Sequence, residues 1–403
     1  MKHVFSAFLL FIATSVLAAE PDAQGYVSLF NGRNLDGWVN VNCYPGTFFV
    51  KDNEVITTGH PTGYLRTAKQ YENFIAEFDW MHMNTKEVGN SGFFVWCDPL
   101  PAIGTGYSRG IEVQVLVNLE YRDKKTGAIT ATSHGDLFSI WGATCKPDRP
   151  HPLGWARCLP SENNAKGGGE WNHYKVTANN GVMKLEVNGK GVSGLSECSP
   201  RKGYLALESE GAECHFRNLK IKELPSTNPK ANEIADVAQG FQNLLTGLDL
   251  PGWKLNDEGR KHWKVNDWFV RYDGQGGALV TAVEYGNAEF IVDFRFPIAA
   301  KGESAKCEFR LRPDNGMKII LGSDGNVTLT TPDGTIVDAT KKFQTSGKWN
   351  RLRVSVNGNK VALLLNGNSV LGGDLAGIPA KGNFSITPTG AMDFGNIYVR
   401  EIK

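Results

Sequence analysis

The chain of 403 residues has almost no excess charge of either sign: 43 lysines and arginines stand against 42 aspartates and glutamates, a formal net charge of +1. That balance removes the electrostatic case for a nucleic-acid partner, and no basic cluster restores it. Past its first residues the chain has no apolar run long enough to cross a bilayer, so no membrane span is expected. A Gly-x-Ser-x-Gly elbow, a phosphate loop and a dinucleotide fingerprint are all missing, which argues against serine hydrolases, kinases and nicotinamide enzymes. None of the seven cysteines has the close double spacing of a zinc site. No His-x-x-x-His or calcium-loop spacing occurs either, so a bound divalent ion stays an open possibility without a motif behind it.

What is present points to export and to β-structure. Lys2 and His3, an apolar run from Val4 to Val16, and Ala18 and Ala19 before Glu20 match a secretory signal peptide. Cleavage near Ala18 or Ala19 would place the mature chain in the periplasm or outside the cell. In such a compartment some cysteines are expected to pair, with Cys145 to Cys158 as one plausible bridge. Forty-six glycines, ten tryptophans and short apolar stretches between turn residues indicate an all-β protein. Tryptophan in such a chain serves either as core or as a face for sugar.

Strand-like alternation covers Phe48 to Ile56, Ile75 to Met81, His173 to Ala178, Met183 to Val187, Tyr204 to Ser209 and Phe216 to Glu223. Asn188-Gly189 marks a tight hairpin. The same order then recurs after a linker at Leu224 to Asn232. Leu35-Asp36-Gly37-Trp38 returns as Leu250-Pro251-Gly252-Trp253 at an offset of 215, whereas Trp171-Asn172 and Asn188-Gly189 return as Trp349-Asn350 and Asn366-Gly367 at 178. The expected organisation is a leader at 1–19, a first domain at 20–223, a linker at 224–232 and a degenerate second copy at 233–403. The drop in offset gives the first copy about 37 extra residues between Val117 and Gly169. So long an irregular segment is usually functional or disordered, and its content favours function; it holds His134, Asp136, Trp141, His151, Trp155 and Arg157.

Side chains alternate across a strand, so in Gly110-Ile111-Glu112-Val113-Gln114-Val115 the apolar residues face a core while Glu112 and Gln114 stand together on the other face. Likewise Glu208 and Glu210 share a face with Tyr204 and Ala206, opposite Leu205 and Leu207. If both strands belong to one sheet, three carboxyls gather, and crowding raises at least one pKa, as acid–base work requires. In the second copy Lys318 and Ile320 replace Glu112 and Gln114, and Thr387 and Thr389 replace Glu208 and Glu210. These side chains are therefore not needed to fold the domain. His134, with Asp136 to orient it, is a candidate proton carrier. Asn90, Trp96 and Arg109 are candidate substrate contacts, as are Asp136, Trp141 and Arg157 in the extra segment.

The run Leu29-Phe30-Asn31-Gly32 to Leu35-Asp36-Gly37-Trp38, Asn90-Ser91-Gly92, Glu112-Val113-Gln114, Gly169-Glu170-Trp171-Asn172 and Phe216-Arg217-Asn218-Leu219-Lys220-Ile221 resemble the 3-keto-disaccharide hydrolase domain family over residues 26 to 223. The resemblance implies two tandem concanavalin A-like β-sandwich (jelly-roll) domains and an oligosaccharide or glycoside substrate already oxidised at carbon 3. It also implies elimination followed by hydration, with His134 or Glu210 as base and Glu112 as acid or metal ligand. Gln114 and Arg109 would be oxygen-side donors, and Glu208 a further substrate contact. Related jelly-roll endoglucanases carry two glutamates four residues apart, whereas here Glu112 is followed by Gln114 and Leu116. A non-catalytic sugar-binding protein and an ordinary glycosidase remain the alternatives.

Overall fold

The computed structural model describes residues 20–298, 305–312, 316–339, 343–344 and 347–403. The expected leader at 1–19 lies outside them. Two antiparallel β-sandwiches follow one another along the chain, each made of two stacked sheets. In the first, one sheet runs Thr144–Pro147, Lys190–Ser199, Val182–Val187, Asn172–Asn179, Phe74–His82, Cys214–Glu223, Glu54–Thr57, Phe48–Lys51. The facing sheet runs Arg157–Cys158, Leu137–Ile140, Gly110–Val117, Gly89–Cys97, Tyr204–Ser209, Gly63–Thr67, Trp38–Val41. Between them Phe78 packs on Phe93 at 4.7 Å and on Tyr174 at 5.7 Å, all three fully buried. Each such aromatic contributes roughly 1.5–3 kcal/mol by leaving water.

The recurring motifs are units of hydrogen bonding, which explains why they survive in both copies. The Trp38 indole donates to Leu29 O at 2.8 Å, and Trp253 repeats this on Leu244 O at 2.9 Å. The Asn188 side chain accepts from His173 N and donates to Asn172 Oδ1; Asn366 does the same with Arg351 N and Asn350. Both Asn-Gly pairs hold positive φ at both residues, as the expected tight hairpin demands. One expected strand is instead a hairpin: residues 48 to 56 fold back at Asp52 and Asn53, both at positive φ, so that Phe48–Lys51 pairs with Glu54–Thr57. The expected Cys145–Cys158 bridge is absent, and all seven cysteines are free thiols. The Cys145 thiol instead donates to Ala156 O and that of Cys158 to Leu159 O.

Strand registers align the copies at the site. Phe93 pairs with Val113 and Leu207 as Phe309 pairs with Ile319 and Ile386. Glu112, Gln114 and Glu208 therefore occupy the positions of Lys318, Ile320 and Thr387, and Gly92 that of Glu308.

The second sandwich grips the loop Pro99 to Ser108 of the first. Asp293, fully buried, accepts from Gly104 N at 2.9 Å, from Asn396 Nδ2 at 2.7 Å and from Arg351 Nε at 2.6 Å. Arg351 also donates to Pro101 O and Asn396 to Thr105 O. Gly104 lies against Trp349, where a Cβ would come within 2.4 Å of the side chain, and its φ is +73°.

Candidate active site

On Gly110–Val117, Ile111, Val113 and Val115 are fully buried in the core, which turns Glu112 and Gln114 to the other face. The strands Gly110–Val117, Gly89–Cys97 and Tyr204–Ser209 are consecutive neighbours, so Glu112 and Glu208 approach each other from either side of Gly89–Cys97. Gly92 lies on that middle strand. A Cβ there would sit 2.8 Å from Glu208 Oε2 and 3.0 Å from Glu112 Oε1, so only glycine leaves room for both carboxyls. Glu210, just past the end of its strand, is bridged to Asn90.

Burial dominates the electrostatics. It pushes the Glu112 carboxyl well above the usual range, helped by the charge of Glu210 and opposed by Arg157. It does the same to Glu208, with Glu210 and Glu112 adding to the effect. Glu210 is also raised by burial, but the Tyr107 hydroxyl, donating to its Oε1 at 2.9 Å, pulls the other way. Asn90 Nδ2 donates to the second Glu210 oxygen. Glu210 is thus the member of the cluster best furnished to hold negative charge, while burial pushes Glu112 and Glu208 toward the protonated form. Tyr107, pushed up by burial and by Glu210, stays a donor.

A chain of hydrogen bonds fixes the amides. Asp136, fully buried, accepts from Thr132 Oγ1 at 2.6 Å and from Arg157 Nε at 2.7 Å. Arg157 donates to Gln114 Oε1 at 3.0 Å, Gln114 donates to Asn90 Oδ1 at 2.9 Å, and Asn90 reaches Glu210. The guanidinium also lies 3.9 Å from the centroid of the Phe138 ring. Asn90, Gln114 and Arg157 form the polar end of a cleft of about 620 Å³.

Of the residues singled out from sequence, Glu112, Glu208, Glu210, Asn90, Gln114, Asp136 and Arg157 come together. Asp136 differs in kind from the expected substrate contact: it is sealed from solvent and holds Arg157. Trp96 is a correction, since it is fully buried, donates from its indole to Glu72 O at 2.7 Å and packs on Phe74 as core. Arg109 is another: it makes a bidentate pair with Asp98 at 2.7 and 2.9 Å and lines a separate cleft between the two sandwiches. Trp141, half-exposed, lines that same cleft and reaches the carboxyls only by stacking on Tyr107. His134 contacts Ser133 and Thr132, and its ring makes no hydrogen bond to the carboxyls of Glu112, Glu208 or Glu210. Among the described residues no group of three or more His, Cys, Asp and Glu is arranged to hold a metal ion.

Sequence reasoning missed Tyr107 and gave Gly92 no role. The glycine carried a signal, as a residue without a side chain directly before Phe93 and Phe94 in the interior of a strand. Tyr107 carried none, because it arrives on a loop that the other sandwich positions.

The chain is 21% identical over 251 residues to a 3-keto-disaccharide hydrolase of Bacteroides thetaiotaomicron, across 50% of this chain and 80% of that protein. A Parabacteroides distasonis protein named as a candidate glycosyl hydrolase is 23% identical, with a TM-score of 0.39 over 50% of this chain and 95% of its own. The carbohydrate-binding module CBM66 of Bacillus subtilis is 14% identical, with a TM-score of 0.27 over 37% of this chain and 91% of its own. The 3-keto-alpha-glucoside-1,2-lyase-like domain model matches twice, at residues 25–222 and 240–400, and the chain belongs to that family.

Proposed function

We propose that the protein is an exported enzyme that cleaves 3-keto-glycosides or 3-keto-disaccharides by elimination and hydration, with the chemistry in the domain at 20–223. The observation that carries this reading is the carboxyl cluster itself: Glu112 and Glu208 meet over Gly92, and Glu210 accepts from the Tyr107 hydroxyl and the Asn90 amide. A ketone at carbon 3 acidifies the hydrogen on carbon 2. Glu210 takes that proton, an enolate forms, and the carbon 1 to oxygen bond breaks as Glu112 protonates the leaving oxygen. Water then adds at carbon 1 and a proton returns to carbon 2, giving the free 3-keto sugar and the released alcohol. Arg157, held in place by Asp136 and Gln114, supplies the donor on the enolate side. Burial and the charge of Glu210 favour the protonated Glu112 that this step needs.

A second reading has one observation in its favour. Glu112 and Glu208 meet closely enough over Gly92 for an ordinary retaining glycosidase, which needs two carboxyls roughly 5–5.5 Å apart. That mechanism requires one of them to be an ionised nucleophile, and burial works against this for both.

The test is incubation with a 3-keto-disaccharide and separately with its parent disaccharide, in deuterated water. Release from the keto form alone, with deuterium at carbon 2, is the expected result. Release from both without deuterium establishes the glycosidase, and binding without release establishes a sugar-binding protein.

A further inference from the structure

The cleft that ends at Asn90, Gln114 and Arg157 has a second wall, built entirely by the segment that the second copy lacks. Trp155 is 50% exposed and Tyr121 57%, yet Trp155 is not a loose side chain. Its indole stacks on the His151 imidazole with ring centres 4.8 Å apart and planes within 10°. His151 is itself buried and fixed at both nitrogens: Nδ1 accepts from Leu153 N at 3.1 Å, so Nε2 carries the hydrogen and donates to Thr130 O at 2.9 Å. The strand Ile129–Thr132 that supplies Thr130 pairs with Glu120–Arg122, which carries Tyr121. One face of the indole is therefore occupied and the other is held open toward the cleft. Ordering a large flat side chain in advance is what a binding surface needs, because no rotamer freedom is lost when the ligand arrives.

We propose that Trp155 is the stacking platform of a leaving-group subsite, which selects substrates whose departing alcohol carries a flat-faced six-membered ring, pyranosyl or aryl. The inference rests on the function proposed above. The reacting sugar takes the polar end, where Asn90, Gln114 and Arg157 offer donors and acceptors. The departing ring lies on this second wall, with Trp155 beneath it and Tyr121 and Leu153 beside it; Arg122, Asp123, Lys124 and Lys125 line the same cleft. A ring stacked on an indole face gains roughly the free energy of an aromatic pair, which corresponds to a several-fold to tenfold change in affinity. His151 is a positioning residue for that face. A small departing group such as methanol reaches none of this wall.

The test compares wild type with Trp155→Ala and Trp155→Phe on three substrates that share the 3-keto-glucosyl group and differ in what leaves: glucose, phenol or methanol. With Ala, KM is expected to rise several-fold to roughly tenfold for the ring-bearing substrates. It should stay unchanged for the methyl glycoside, and Phe should restore most of the loss. A loss with the disaccharide alone assigns a pyranosyl site, and a loss with the phenyl glycoside alone an aryl site. Equal loss on all three, or on none, overturns the subsite. If wild type cleaves none of them, the proposed function has failed. The platform is then judged by calorimetric titration with the unreactive disaccharide and phenyl glucoside. Binding weakened by Trp155→Ala and recovered by Phe keeps it, and binding that is absent or indifferent to Trp155 removes it.

Discussion

Replacing Glu208 by Gln should make the protein more stable at neutral pH, although it removes a fully buried carboxyl from the middle of the site. Glu208 is 1% exposed, its Oε2 has no hydrogen-bond partner, and Glu112 and Glu210 both face it. Its folded pKa lies well above the unfolded value of about 4.3. Between those two values the folded state holds a proton that the unfolded state has given up. Stability contributed by this group is therefore fully present below about pH 4.3 and is lost as pH rises toward the folded pKa. The slope for one such carboxyl is about 1.4 kcal/mol per pH unit. Glutamine has the shape of the protonated acid and no titration, so the variant should lose one proton's worth of this slope and exceed wild type at the upper end of the range. Urea unfolding from about pH 4 to about pH 8, followed on the transition of the first sandwich, measures it directly. A Glu208→Gln profile parallel to wild type, or one displaced downward at neutral pH, would refute the claim that burial and crowding hold a proton there. A gain in stability with a loss of turnover is the signature of a site kept under strain for function.

Four further outcomes are expected. Glu112→Gln should reduce turnover by about 10² or more while thermal unfolding changes little; normal activity would remove it from the proton-transfer role. Tyr107→Phe takes a donor from Glu210 and should move the acidic limb of the pH–activity profile to higher pH, since the hydroxyl is what holds that carboxyl down; an unmoved limb would separate Tyr107 from the base. Arg351→Met leaves Asp293 buried without its cation and should destabilise the protein by about 3–5 kcal/mol. The same change should loosen the loop that carries Tyr107, read as faster amide exchange at Gly104, and unchanged exchange would argue against the grip. Arg157→Ala should raise KM strongly, because Gln114 loses the partner that fixes its amide, and Arg157→Lys should rescue only weakly for want of the forked geometry.

Much of the fold was legible along the chain because the signals are local. Asn188-Gly189 and Asn366-Gly367 specify hairpins through their own backbone preferences, and the alternation in Gly110–Val117 assigns Ile111, Val113 and Val115 to the core without reference to any other strand. Comparing the two copies went further. It identified Glu112, Gln114, Glu208 and Glu210 as dispensable for folding, and strand registers place Lys318, Ile320 and Thr387 where the first three stand. The turn at Asp52-Asn53 lies inside an apolar stretch, so that along the chain the hairpin reads as one strand. Trp96 and Arg109 were misread for a different reason. Whether an indole is core or platform, and which acid an arginine meets, depends on partners distant in sequence, such as Glu72 and the loop residue Asp98.

The sequence by itself determined an all-β chain, its internal repeat, the extra segment and the face on which the carboxyls stand, because periodicity and turn residues act over a few positions. Only the tertiary structure decided that Glu112 and Glu208 meet over Gly92, that Asp136 serves Arg157 rather than His134, and that Tyr107 is brought to Glu210 by a loop the second sandwich holds. Those facts depend on which strands become neighbours and on how much water is excluded between them. Neither is written in the spacing of residues along one strand.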